Sequence, residues 1–152
     1  KYAVQYGWKI INDSNRKDMF MDMIRQMDMS YSYKPVLMKA IMLYADEKGR
    51  IKLDDIVAYF RSYYEGRRAA GLPVEKKNSI FAKGGYTDKE AERNILSNPF
   101  KRFEDMQMLR HTKTLGIVQV DEAVWKHLSK EEKAEIVKIS DEKLTQYSSR
   151  IK

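Results

Sequence analysis

The chain contains no cysteine. That absence removes disulfides, thiolate zinc sites and cysteine nucleophiles together, and it agrees with a reducing, cytoplasmic setting. Histidine is nearly as scarce: His111 and His127 are the only two, with no thiolate to complete a soft ligand set and no Ser, His and Asp arrangement around them. No metal and no cofactor are expected. No apolar run approaches the roughly 20 residues of a membrane span, so no membrane partner is expected either. Lys1 stands where a start methionine and signal peptide would be, and the chain reads as a piece of a longer protein. ATPase motifs are missing too, since there is no G-x-x-x-x-G-K-[ST] loop, and "YADE" at Tyr44–Glu47 is not a D-E-A-D box.

What is present is charge of both signs with a basic surplus. The 152 residues carry a formal net charge of +7, and that length makes one domain with a real core. The surplus is local: residues 60–113 hold twelve Lys and Arg against seven Asp and Glu, whereas residues 114–152 hold seven of each. A basic middle segment favours a polyanionic partner.

The apolar pattern is mostly helical. "KYAVQYGWKIIND" has an apolar cluster without a sustained period, after which Asp13 or Ser14 can cap a helix with Phe20, Met23, Ile24 and Met27 on one face. Five of the nine methionines lie between Met19 and Met29, so this helix either docks on its own domain or offers an adaptable surface to a partner. Pro35 suits the first turn of a second helix with Leu37, Ala40, Ile41 and Tyr44 in a stripe, ending near Asp46. "RIKL" alternates as a short strand, and Asp54 then caps a helix carrying Ile56, Val57, Phe60, Tyr63 and Tyr64.

Residues 71–86 have no clean period and read as a long functional or mobile loop. Thr87 with Glu90, and Ser129 with Glu132, form capping boxes, while Asn98 and Pro99 restart the helix register. "QMLRH" and "GIVQV" are the strands of a hairpin, and Asp121 can cap the helix that follows. The expected fold is mainly α with a small β-hairpin. It is a winged-helix-like helical domain with flanking N- and C-terminal helices, divided into residues 1–29 as linker and amphipathic helix and 30–152 as the accessory domain.

The words "SYSYKPVLMKAI", "LDDIVAYFRSYYEGRRAAGLPVEKKNSIF" and "ERNILSNPFKRFEDM" together resemble an accessory domain of bacterial DEAD/DEAH-box helicase and restriction-type defence proteins, over about residues 29–145. The Lys34-Pro35 opening is also similar to winged-helix-like modules that precede HNH endonuclease domains. The resemblance implies a DNA-processing parent polypeptide, with this segment as a non-enzymatic part of it.

Two candidate chemistries compete for the polar residues. Asp55, Glu75 and Lys77 mimic an acid, acid-x-lysine nuclease spacing, but Glu75 follows Pro73 in a loop and no strand gathers them, so solvated loop charge explains them better. The basic residues Arg67, Arg68, Lys76, Lys77, Lys83, Lys89, Arg93, Lys101, Arg102, Arg110 and Lys113 are candidate phosphate contacts, with interspersed acids that suit an ordinary solvated surface equally. Tyr63, Tyr64, Phe81 and Tyr86 are possible base-stacking partners, although helical spacing assigns the first two mainly to the core. Phe100 and Phe103 are expected in the core, with Lys101 and Arg102 turned outward. The expected partners are nucleic acid, taken as DNA, and the rest of the parent chain. The alternative is a protein-interaction module that docks through the Met-rich helix and exposed tyrosines.

Overall fold

A computed structural model describes residues 15–151 and, before them, the backbone of two three-residue strands. These strands, β1 (Val4–Tyr6) and β2 (Lys9–Ile11), pair antiparallel with Val4 opposite Ile11. Hence the opening apolar cluster contains a small ladder that its irregular pattern conceals. Asp13 and Ser14, the expected caps, lie outside the described residues; helix α1 (Arg16–Arg25) follows Asn15, whose side chain makes no capping bond.

Helix α1 turns Met19, Phe20, Met21, Met23 and Ile24 into the core, and Met27 follows them. The methionine-rich face is therefore covered by the chain itself. One continuous core runs from these residues to Leu144 and crosses residue 29 without a gap. Helix α2 (Tyr33–Tyr44) holds Pro35 in its first turn and buries Val36, Leu37, Met38, Ala40 and Ile41. It packs against both α3 (Leu53–Ala69) and the carboxy-terminal helix α8 (Lys130–Ser148).

Strand β3 (Arg50–Lys52) passes directly into α3, whose N-cap is Lys52 rather than Asp54. Asp54 and Asp55 instead occupy the first turn, where carboxylates favour the positive end of the helix dipole. The expected long loop is interrupted by a one-turn helix, α4 (Ile80–Lys83), capped by Ser79 and driven into the core by Phe81. Both capping boxes form, Thr87 with Glu90 at α5 (Asp88–Ser97) and Ser129 with Glu132 at α8. Pro99 opens α6 (Pro99–Asp105), and Asp121 caps α7 (Glu122–Trp125) by accepting from the backbone of Ala123 and Val124.

Strands β4 (Leu109–Thr112) and β5 (Ile117–Val120) make the expected hairpin, and β3 joins its other side to give an antiparallel sheet in the order β3-β5-β4. The result is a mainly α fold with a small sheet. Because side chains alternate across the pleat, the register assigns two faces. Ile51, Val118 and His111 form an inward row, with the His111 ring edge-on to Phe100 at 6.2 Å. Arg50, Gln119 and Arg110 form an outward row, followed by Lys52, Ile117 and Thr112.

Two anchors hold this sheet. Buried Arg16 donates from Nε to Asp121 Oδ2 at 2.9 Å and from Nη2 to the Gln107 carbonyl, fastening α1 to the base of the hairpin. Trp125 donates from Nε1 to the Glu47 carbonyl at 3.0 Å, beneath the Lys133 ammonium 3.9 Å from its ring centre. Gly49 makes this approach possible: its φ is +77°, and a Cβ there would lie 2.8 Å from the Trp125 ring.

Candidate nucleic-acid interface

The eleven basic residues singled out in the sequence fall on three parts of the fold, and the fold uses them differently. At the end of α3, Arg67 donates from Nε to the Pro73 carbonyl at 2.6 Å and lies over the Tyr63 ring. Arg68 donates from Nη1 to the Ala82 carbonyl at 3.2 Å and from Nη2 to the Phe81 carbonyl, while its Nε pairs with Glu65. These two guanidiniums brace the segment that follows α3, so they are structural donors as well as surface charge. Lys76 is exposed, with its ammonium 5.1 Å from the centre of the Tyr31 ring; Lys77 and Lys83 are exposed nearby in sequence.

On the second part, α5 and α6, Lys89 sits 3.9 Å from Glu92, and Arg93 is exposed. Lys101 pairs with Asp105 at 2.8 Å, which raises its pKa. Arg102 is exposed and lines a shallow cleft with Lys34, Met27 and Asp28. Burial lowers the Lys34 pKa, and the Arg102 charge pushes in the same direction against Asp28. Phe100 and Phe103 are core as expected, Phe103 lying 6.4 Å from the Phe20 ring. The third part is the hairpin, where Arg110 is exposed and donates from Nη2 to Gln119 Oε1 at 3.1 Å, and Lys113 is exposed in the turn.

The aromatic candidates do not form a stacking platform. Tyr64 and Phe81 are fully buried and stacked on each other at 4.6 Å, and Tyr86 closes edge-on against Phe81 at 4.9 Å. Tyr86 donates its hydroxyl proton to Glu65 at 2.8 Å, and its pKa is raised by burial and then by that bond. Only Tyr63 of the four is half-buried rather than buried.

Glu75 corrects the solvated-charge expectation most plainly. It is 8% exposed. Its Oε2 accepts from the Ser32 backbone at 2.8 Å and from Ser32 Oγ, and its Oε1 accepts from the Lys76 backbone at 2.8 Å and from the Tyr147 hydroxyl. With the Ser32 proton so directed, Tyr64 donates to Ser32 Oγ across 2.6 Å. Burial pushes the Tyr33 hydroxyl up to about 12, and those of Tyr64 and Tyr147 up as well. A carboxylate offers about four lone-pair positions, and these are occupied, so Glu75 has no capacity left for a metal. Asp55 and Lys77 remain exposed, and among the described residues no group of three His, Cys, Asp or Glu is placed to hold an ion.

Three cations outside the eleven lie on these surfaces: Lys34 beside Arg102, and Arg50 and Lys52 on the sheet. The last two had a readable signal. "RIKL" alternates, so Arg50 and Lys52 must share one face opposite Ile51; what the sequence withholds is that Arg110 lies two strands away on the same face. Compared with family models, curated proteins and solved structures, the chain finds no match.

Proposed function

We propose that this chain is a non-catalytic, winged-helix-like accessory domain of a larger helicase or restriction-type protein, binding nucleic acid through Lys and Arg contacts to phosphate. The observation that carries the reading is topological. A helix precedes β3, α3 follows it, α5 and α6 precede the hairpin, and the sheet order is β3-β5-β4. That order of parts suits a wing beside a groove-entering helix, with Arg110 and Lys113 exposed on the hairpin. A net charge of +7 supplies the long-range attraction.

Phosphate binding releases counterions, so log K falls with log salt by about 0.9 per contact on a duplex. Titration of labelled duplex and single-stranded oligonucleotides at two salt concentrations tests the reading. Affinity that falls steeply with salt supports it; absence of binding at low salt overturns it.

A second reading is favoured by one observation. Leu43 and Tyr44, at the end of α2, are 50% and 60% exposed, and the Tyr44 ring lies 5.8 Å from that of Tyr59. This apolar end suits a protein-docking module on the parent chain. With the methionines of α1 buried, that alternative rests on Leu43 and the tyrosines at the end of α2.

A further inference from the structure

We propose that the outward face of the three-stranded sheet, centred on Arg50, Lys52 and Arg110, docks the phosphate backbone of a nucleic-acid duplex; this rests on the nucleic-acid-binding reading above. The register sets Arg50 and Arg110 on either side of Gln119 in one row, and Lys52 at the β3 end of the next. The two rows contain three cations and no acid. Strand spacing separates the backbones of Arg50 and Arg110 by about 10 Å, and two residues along β3 separate Arg50 from Lys52 by about 7 Å. A duplex carries one charge per about 1.7 Å of its axis, so a face of this size meets several phosphates at once.

The face is held in shape by its own polar residues. Gln119 Oε1 accepts from Arg110, and its Nε2 donates to the Lys48 carbonyl at 3.5 Å, which steers the Arg110 guanidinium across the strands. Asp46 holds Arg50 from the edge at 3.0 Å, leaving its side chain 41% exposed. Lys52 is exposed. The β4–β5 turn is fastened next to the end of β3, since the Leu53 backbone donates to the Gly116 carbonyl at 2.9 Å, and this turn carries Lys113.

Charge complementarity selects a nucleic acid, and the absence of rings selects the duplex form. Binding to single strands relies on aromatic side chains that stack bases. The outward rows hold Arg50, Gln119, Arg110, Lys52, Ile117 and Thr112. None of these is aromatic, and a guanidinium alone makes a poor platform for successive bases, so the face suits a partner whose bases are turned inward.

The decisive variant is Gln119→Glu. It keeps the shape and the acceptor for Arg110 and gives up only the long 3.5 Å contact from Nε2 to the Lys48 carbonyl, so the folded state survives, while placing a carboxylate between Arg50 and Arg110. With a labelled DNA duplex as probe, the expected result is about a tenfold loss of affinity and a salt slope lower by about one unit, at a nearly unchanged Tm. Lys52→Gln/Arg110→Gln, which leaves the Asp46–Arg50 pair intact, should lower the slope by about two units. If the unaltered protein binds duplex and both folded variants keep its affinity and slope, the sheet face is overturned while nucleic-acid binding stands. If the unaltered protein binds neither duplex nor single strand, both readings fall. Single strands bound more tightly than duplex, and weakened by these variants, would overturn the duplex assignment.

Discussion

The end of α3 and the outward face of the sheet are both rich in cations, yet they use them in opposite ways. Around α3, Arg67 and Arg68 turn their donors onto main-chain carbonyls of the following segment, and the buried Glu75 gathers donors from Ser32, Lys76 and Tyr147. On the sheet, among the described residues, the Arg50 and Arg110 guanidiniums reach side chains at the surface, Asp46 and Gln119. The difference follows from the backbone. Helix ends and irregular segments leave carbonyls and N–H groups unpaired, and nearby side chains are recruited to satisfy them. In the sheet, β5 pairs the inner backbone groups of both edge strands and Asp46 satisfies the Arg50 backbone at the β3 edge, so neither arginine is drawn onto the main chain; a partner would share Arg50 with Asp46 and Arg110 with the neutral Gln119. Counting Lys and Arg therefore does not separate structural cations from surface ones; asking which backbone groups are already paired does.

If the α3 region is interior in this sense, truncating its rings should produce the largest loss. Phe81→Ala removes a fully buried ring that touches Phe60, Tyr64 and Tyr86. It should cost about 3–5 kcal/mol, as should Phe103→Ala on the same grounds. Denaturant melts measure both. Retained stability with lost oligonucleotide binding would make either ring a ligand contact and break the contrast.

A middle-sized effect is expected at Glu75. Glu75→Gln keeps the shape but turns an amide N–H₂ towards two of the four donors, leaving them unsatisfied. Such a loss is worth about 1–3 kcal/mol. Tyr147→Phe in the Glu75→Gln background should then cost less than in the parent protein, because the two act through one hydrogen bond. Strict additivity of the two losses would show that the network is not a unit.

These interior residues mark where the sequence could be read and where it could not. Capping boxes at Thr87 and Ser129, the Pro99 restart and the hairpin were legible, because each is written in residues within a few positions of one another. Phe100, Phe103, Tyr63 and Tyr64 followed from helical spacing. Glu75 was not legible: nothing near it in sequence predicts Ser32 and Tyr147 as its partners, so burial of a loop carboxylate could not be inferred. Helix α4 was hidden for a different reason, as a single turn is too short to show a period. The outward cation row combines local alternation, which is readable, with pairing of β3 to β5 between residues 65 to 69 apart, which is not.

A smaller effect is expected at the Lys17–Glu132 pair, which joins α1 to the start of α8 at 2.7 Å. The hydrogen bond from Lys17, and then that from the Ser129 backbone, holds the Glu132 carboxyl below its usual 4.5, and the same bond raises Lys17 above 10.5. The carboxylate's contribution is present above pH 4.5 and is lost as pH falls through the lowered value. The ammonium's is present below pH 10.5 and is lost as pH rises through the raised value. Glu132→Gln should therefore lower stability by less than about 1 kcal/mol at neutral pH. The gap from the parent protein should close on strong acidification, and a gap that persists there would assign it to the capping box instead.

The smallest effect on stability, and the sharpest use of the comparison, is expected on α6. Lys101→Ala/Arg102→Ala replaces two exposed residues and should leave melting almost unchanged. Their effects on binding should differ. Lys101 is held by Asp105 at 2.8 Å and by Glu104 at 3.8 Å, so a phosphate must compete with two carboxylates for it, whereas Arg102 stands beside Lys34 in a locally positive cleft. The double variant should flatten the salt slope by about one unit, most of it from Arg102, rather than the two that two free phosphate contacts would give. Arg102→Ala alone should reproduce nearly all of the change and Lys101→Ala little. Combined with Lys52→Gln/Arg110→Gln, the losses should add, because helix and sheet would then grip separate phosphates of one duplex. An unchanged slope in the folded α6 variant beside a reduced one in the sheet variant would confine the interface to the sheet. The reverse result would return it to the helix and leave the outward row as solvated charge.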